Sequence, residues 1–169
     1  LMEVSSHSLD QDRVGGISFD AGLFTNITRD HLDYHKTVKD YFTAKARLFD
    51  KLKKKGAAVL NNDDSMVASL KNKIKNKILT YGIKNDSDVT AKDILLLIDS
   101  SSFLIKTPKG SFAVKTKLIG RHNVSNILAS VAASVALNIG LDAIKKGIES
   151  FKNVPGRLEP VNSGQAFRV

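Results

Sequence analysis

The chain has no cysteine in its 169 residues, so neither disulfides nor thiolate metal sites are open to it. That usage fits a cytosolic protein. No apolar run reaches the roughly 18 residues of a membrane span, and no secretory leader is visible. Internal repeats and low-complexity runs are also missing. Aromatic residues make up 7% and do not interleave with the basic ones, so there is no stacking platform for nucleic-acid bases. What remains is an ordinary globular composition, 42% hydrophobic and 25% charged, long enough for one domain with a sizeable core.

Negative charge is the scarcer sign. The chain carries 26 basic and 17 acidic residues, for a net charge of +9. The lysines concentrate at Lys51, Lys53, Lys54 and Lys55 and at Lys71, Lys73, Lys75 and Lys77. Both groups are expected near helix ends, where cations complement the helix dipole. A solvated face is therefore favoured over a nucleic-acid site, and a phosphate-rich small ligand also suits the charge.

The segment from Phe24 to His35, Phe-Thr-Asn-Ile-Thr-Arg-Asp-His-Leu-Asp-Tyr-His, and the helix expected after it organise the chain. Val38, Tyr41, Phe42, Leu48, Phe49 and Leu52 form one apolar stripe of a helix expected to run to about Lys55. The stripe's missing member is Lys45. Either its stem packs and its ammonium reaches water, or something pairs with it or changes it chemically. The preceding loop holds two histidines and two aspartates, which suit a hard or borderline cation; more cheaply, it is a polar loop in which an Asp or Thr37 caps the next helix.

Alternation of apolar runs and helical periods predicts α/β architecture: a mostly parallel sheet flanked by helices, with a small appended antiparallel hairpin. Strands are expected at 1–4, 19–27, 57–60 and 78–81, with Glu3 near the carboxyl end of the first. A helix capped by Asp64 or Ser65 should run to about Lys75. Residues 103–118 alternate around Pro108-Lys-Gly110, the pattern of an antiparallel hairpin in a small sheet packed beside the main one. Val124, Ile127, Leu128, Val131 and Val135 form the buried stripe of a later helix. Asn123 and Asn126, three apart, project from the same side of its first turn, and Asn123 also suits an N-cap. A last helix at 142–151 should turn Leu141, Ile144, Ile148 and Phe151 inward. Both chain ends read as the interior of strands, so a piece of a longer enzyme is expected.

Three stretches together resemble the central, ATP-binding domain of the Mur ligases of bacterial peptidoglycan synthesis. They are Glu3-Val-Ser-Ser-His-Ser-Leu-Asp-Gln-Asp-Arg13, the 25–48 segment with Asp-His-Leu-Asp-Tyr-His and Ala-Lys-Ala-Arg-Leu, and Gly120-x-His-Asn-x-x-Asn126. Gly156-Arg-Leu-Glu159 is similar to the family's hinge. The first two stretches are most similar to the MurE branch, which adds the third amino acid to UDP-N-acetylmuramoyl-L-Ala-D-Glu. The resemblance implies a carbamylated Lys45 that binds Mg2+ together with Glu3 and His31. It implies that Ser5, Gln11 and Arg13 hold the UDP-MurNAc-dipeptide, and that Asn126, with His122 and Asn123, meets the adenine of ATP. Arg157 would meet ATP phosphates, making Lys45, His31 and Arg157 the catalytic set.

Residues 1–160 would then be the central domain without its phosphate loop, and 161–169 a linker into the C-terminal domain. The phosphate loop, Gly-x-x-Gly-Lys-Thr or Ser, has no counterpart in the chain. Nothing present selects diaminopimelate or lysine as the incoming amine. The implied reaction is ATP-dependent amide formation through an acyl phosphate, in the cytoplasm, by a protein expected to be monomeric. The rival readings are another Mur-type ligase (MurF, MurD or a folylpolyglutamate synthetase), a basic nucleic-acid-binding module, and a non-catalytic domain that kept the fold.

Overall fold

Residues 56–61 are buried without a break, and the sheet is laid out around them. The structure is a computed structural model that describes residues 1–28, 31–151 and 164. Six strands form one sheet in sequence order: β1 (Phe19–Phe24), β2 (Leu52–Asn61), β3 (Lys77–Gly82), β4 (Val89–Leu96), β5 (Ser101–Thr107) and β6 (Gly110–Thr116). The first four run parallel; β5 and β6 pair antiparallel.

The side-chain period of two sends β2 to both faces. Val59 joins a core with Tyr81, Ile105, Val124, Leu128 and Val131. Ala58 and Leu60 join a second core with Phe24, Phe42, Phe49, Val67 and Leu70. Helices cover both faces, as a parallel sheet requires. The first core is closed by α5 (Arg121–Ala136), which packs on β1 to β5, and by α6 (Leu141–Ser150), which packs on β6. The second is closed by α3 (Val38–Ala46), the 3-10 turn Arg47–Lys51 and α4 (Ser65–Ala68). Two short helices complete the set, α1 (Ser6–Asp10) and α2 (Leu32–His35).

The α/β class, the parallel-to-antiparallel change and the buried stripe of α5 agree with the sequence reading. Other expectations are corrected. Residues 1–4 form no strand: Leu1, Met2 and Glu3 are exposed, and the segment pairs with none of the six strands. Glu3 therefore lies on an extended segment before α1 and not at a strand end. The long helix stops at Ala46. Leu52 pairs with Phe19, so hydrogen bonding to β1 draws residues 52–55 into β2. Lys53, Lys54 and Lys55 accordingly lie on a strand and not at a helix end.

Strand β1 stops at Phe24, and α4 is a single turn followed by a 3-10 turn, Ser69–Asn72. The hairpin 103–118 extends the main sheet and is no separate sheet, because β4 bridges it to β3. Phe151 is 46% exposed and not inward. Asn123 is the third residue of α5 and not its cap. The cap is Gly120, at φ 87°, where an added Cβ would stand 2.8 Å from the His122 ring. The expected hinge at 156–159 and linker at 161–169 fall outside the described residues, apart from Gly164.

Carboxylates fasten the loops at the carboxyl ends of the strands. Asp64 Oδ1 accepts from the N–H groups of Met66 and Val67 and caps α4, while its Oδ2 accepts from Ile27 N–H at 2.9 Å. Asp63 accepts from the N–H groups of Ile83, Lys84 and Asn85. Burial, and then these two carboxylates, hold the Tyr81 hydroxyl well above the usual tyrosine range. Because Asp64 joins the β1 loop to α4, Asp64→Ala should lower unfolding free energy by about 2 kcal/mol. Denaturant unfolding with an unchanged slope is the measurement; an unmoved midpoint would show that these bonds add nothing.

Candidate active site

Lys45 lies on α3 at the carboxyl end of β1, half-buried among aromatic rings. Its Nζ is 5.4 Å from the centroid of Phe24, the last residue of β1, and 5.2 Å from that of Tyr41. It donates to the Tyr41 hydroxyl at 3.3 Å. The helix produces this contact directly, since Tyr41 precedes Lys45 by one turn. Thr37 starts α3 by accepting from Asp40 N–H, which bears out the capping reading of the loop. The ammonium does not simply run to water: two ring faces hold it in place.

His31 reaches the same tyrosine, with ring centroids 5.7 Å apart at 74°. Its backbone is left-handed, at φ 55°, and its carbonyl accepts from the N–H groups of Tyr34 and His35 to begin α2. A histidine held in that region is a mark of a shaped loop.

The α1 segment closes over this loop. The His7 ring lies 5.1 Å from His31, 4.2 Å from Tyr34 and 5.4 Å from His35. Buried His35 and buried Ser6 share a hydrogen bond of 2.9 Å between Nε2 and Oγ. Ser5 caps α1, accepting from Ser8 N–H at 3.1 Å. Gln11 Nε2 donates to Tyr34 Oη, and Arg13 is exposed on the turn that follows. Lys51 pairs with Asp12 at 2.6 Å and Arg47 with Asp10 at 3.0 Å.

Asn123 and Asn126 belong to a second location. Both line a cavity of about 440 Å³ between α5 and α6, with Ile127, Ser130, Ile148 and Phe151. The Asn123 amide donates to Ile119 O at 2.8 Å and is committed to the fold. Asn126 is exposed at the cavity wall, and exposed His122 stands on the same first turn. The walls are largely apolar, with a few amide and hydroxyl groups, the pattern of a small-molecule pocket.

The structure thus brings His31 and Lys45 together on Tyr41 and brings the α1 residues against them. It places the asparagines apart, because the α5–α6 cavity is lined by neither group. Arg157 lies outside the described residues. The sequence reading passed over Tyr34, Tyr41 and His7. The spacing of Tyr41 four residues before Lys45 was a usable signal; the His7 contacts had none, because they join segments more than twenty residues apart.

The profile of the Mur ligase middle domain matches residues 1–134. The chain belongs to the Mur ligase family. A UDP-N-acetylmuramoyl-L-alanyl-D-glutamate–2,6-diaminopimelate ligase from Bacillus velezensis is 45% identical over the whole chain, which covers 36% of that protein. One of the same description from Geobacter metallireducens is also 45% identical, with 34% of it covered. This domain therefore spans about a third of the length of the curated relatives it matches. A solved structure of a ligase of that description superposes with TM-score 0.82 at 33% identity, covering 95% of the chain and 34% of its own. MurF from Acinetobacter baumannii superposes with TM-score 0.80 at 30% identity, covering 86% and 32%.

The ring contacts around Lys45 have a measurable consequence. Its amine should acylate more slowly than that of exposed Lys54, and Tyr41→Ala should narrow the difference. Peptide mass spectrometry after brief labelling reads both; equal labelling of the two lysines in the parent protein would contradict the cage.

Proposed function

We propose that this domain is the central part of an ATP-dependent ligase that adds the third amino acid to UDP-N-acetylmuramoyl-L-alanyl-D-glutamate in peptidoglycan synthesis. The observation that carries the reading is the placement of Lys45 with His31 on one tyrosine at the carboxyl end of β1, where open α/β sheets bind ligands. The names of the curated relatives support the substrate, and they put 2,6-diaminopimelate first for the incoming amine. Residues 1–160 form the central domain in this reading, and 161–169 lead into the next.

The reaction runs in two steps. The free carboxylate of the dipeptide takes the γ-phosphoryl group of ATP, giving an acyl phosphate and ADP. The incoming amine then attacks the acyl carbon through a tetrahedral intermediate; the C–N bond forms, the C–O bond to phosphate breaks, the nitrogen loses a proton to solvent, and phosphate leaves. Ser5, Gln11 and Arg13 hold the muramoyl substrate; the Arg13 guanidinium suits a phosphate or carboxylate. Asn126, beside His122 and Asn123, holds the adenine against the α5–α6 cavity, and Arg157 meets the phosphates.

Among the described residues no three His, Cys, Asp or Glu side chains are grouped to hold a metal ion. Glu3 and His31 supply an oxygen and a nitrogen donor, and the set gains a third member once Lys45 carries a carboxylate. That requires CO2 to add to the neutral amine: a C–N bond forms, one C=O π bond opens, and a proton leaves to solvent. The cation is thereby replaced by an anionic oxygen donor of the kind Mg2+ prefers. When bound, Mg2+ supplies charge that offsets the negative oxygens of the transferring phosphoryl group.

In the whole ligase, Lys45→Ala should abolish activity, and formate or acetate should restore part of it by filling the vacated carboxylate position. A fully active Lys45→Ala enzyme would remove the residue from the mechanism. Asn126→Ala should raise KM for ATP about tenfold and leave KM for the UDP-sugar substrate nearly unchanged, in line with the loss of a hydrogen-bonding amide. Steady-state kinetics in each substrate separates the two.

A further inference from the structure

Tyr34 has no part in the mechanism above, yet it makes the most connected polar contact between α1 and the His31 loop. Its hydroxyl donates to Asp10 Oδ2 at 2.9 Å and accepts from Gln11 Nε2 at 3.1 Å. Its ring lies 4.2 Å from His7 and 4.7 Å from His35. One side chain of α2 thus touches His7 and Asp10 of α1 and the residue that ends it, Gln11.

The order of donors is fixed. Arg47 Nη1 donates to Asp10 Oδ1, and Asp10 offers its other oxygen to Tyr34. A carboxylate only accepts, so the phenol proton is committed to Asp10. Tyr34 can then only accept from Gln11, which must present its amide nitrogen there. The Gln11 carbonyl oxygen is left turned away, as an acceptor for a hydroxyl or amide N–H of a ligand. A chain of three bonds from Arg47 through Asp10 and Tyr34 therefore sets the orientation of a terminal amide that would otherwise flip between two near-equivalent states.

We propose that Tyr34 is a positioning residue for the muramoyl-peptide substrate: it sets the amide of Gln11 with its oxygen toward the ligand and holds the Ser5–Arg13 segment against the loop that carries His31. The proposal rests on the assignment of Ser5, Gln11 and Arg13 to that substrate. Tyr34 itself touches neither the reacting carboxylate nor ATP in this role. Its hydroxyl acts through Gln11, while its ring, which Tyr34→Phe keeps, packs on His7 and His35 and supports the α1 segment.

The test is Tyr34→Phe in the whole ligase, which keeps the ring against His7 and His35 and removes only the hydroxyl. KM for UDP-N-acetylmuramoyl-L-alanyl-D-glutamate should rise about fivefold to tenfold, with KM for ATP within about twofold of the parent and kcat little changed. Tyr34→Phe combined with Gln11→Ala should be no worse than Gln11→Ala alone, because the hydroxyl acts through that amide. A merely structural tyrosine predicts a lower melting temperature with no split between the two KM values, and additive effects in the double variant; either result overturns the proposal. Arg13→Ala is measured alongside. If it raises KM for the UDP-sugar dipeptide while Tyr34→Phe does not, the positioning role fails and the substrate assignment stands. If neither variant moves that KM, the assignment of the segment itself is wrong.

Discussion

Burial of β2 on both faces is the constraint on which the rest of the structure depends. Residues 56–61 offer no polar side to water, so each face needs its own cover. One face takes α5 and the other takes α3 and α4. The crossings from β1 to β2 and from β2 to β3 both run over the second face, α5 reaches the first face only after β6, and the crossings deliver loops to the carboxyl ends of the parallel strands. Asp63 and Asp64 fasten those loops with backbone hydrogen bonds that no apolar residue could supply.

The site inherits its rigidity from that arrangement. Phe24 ends β1 and is buried in the second core, so the ring against Lys45 is fixed by packing. Tyr41 is buried at 5% exposure and contacts both Lys45 and His31. Ring faces favour the ammonium of Lys45 by about 0.5 to 2 kcal/mol. That is small beside the attraction between a carboxylated lysine and a divalent cation, so the cage holds the resting side chain in place without locking it. The α1 segment is tied to this centre by the Ser6–His35 bond and by the rings of His7 and Tyr34, which joins α1 and the His31 loop in one unit.

The α5–α6 cavity lies apart from this unit. Its walls are built on the helices that close the first core. Nucleotide base and phosphates would then be held by different layers of the domain. That separation is natural for a molecule as long as ATP.

By itself the sequence determined the α/β class, the buried stripe of α5, the β5–β6 hairpin and the odd position of Lys45. Each follows from local periodicity, turn chemistry or the spacing of short motifs, which need no knowledge of distant partners. Tertiary structure decided the rest. Residues 52–55 continue an apolar and basic pattern compatible with helix, and only the pairing of Leu52 with Phe19 makes them strand. Residues 1–4 read as strand from composition, but a strand exists only where it pairs with a neighbour, and this segment pairs with none of the six strands. The hairpin's place in the main sheet hung on β4, whose own pattern of burial is irregular. The contacts of Tyr34 with Asp10 and Gln11 join segments 24 and 23 residues apart, a proximity that chain closure creates and residue order alone does not encode.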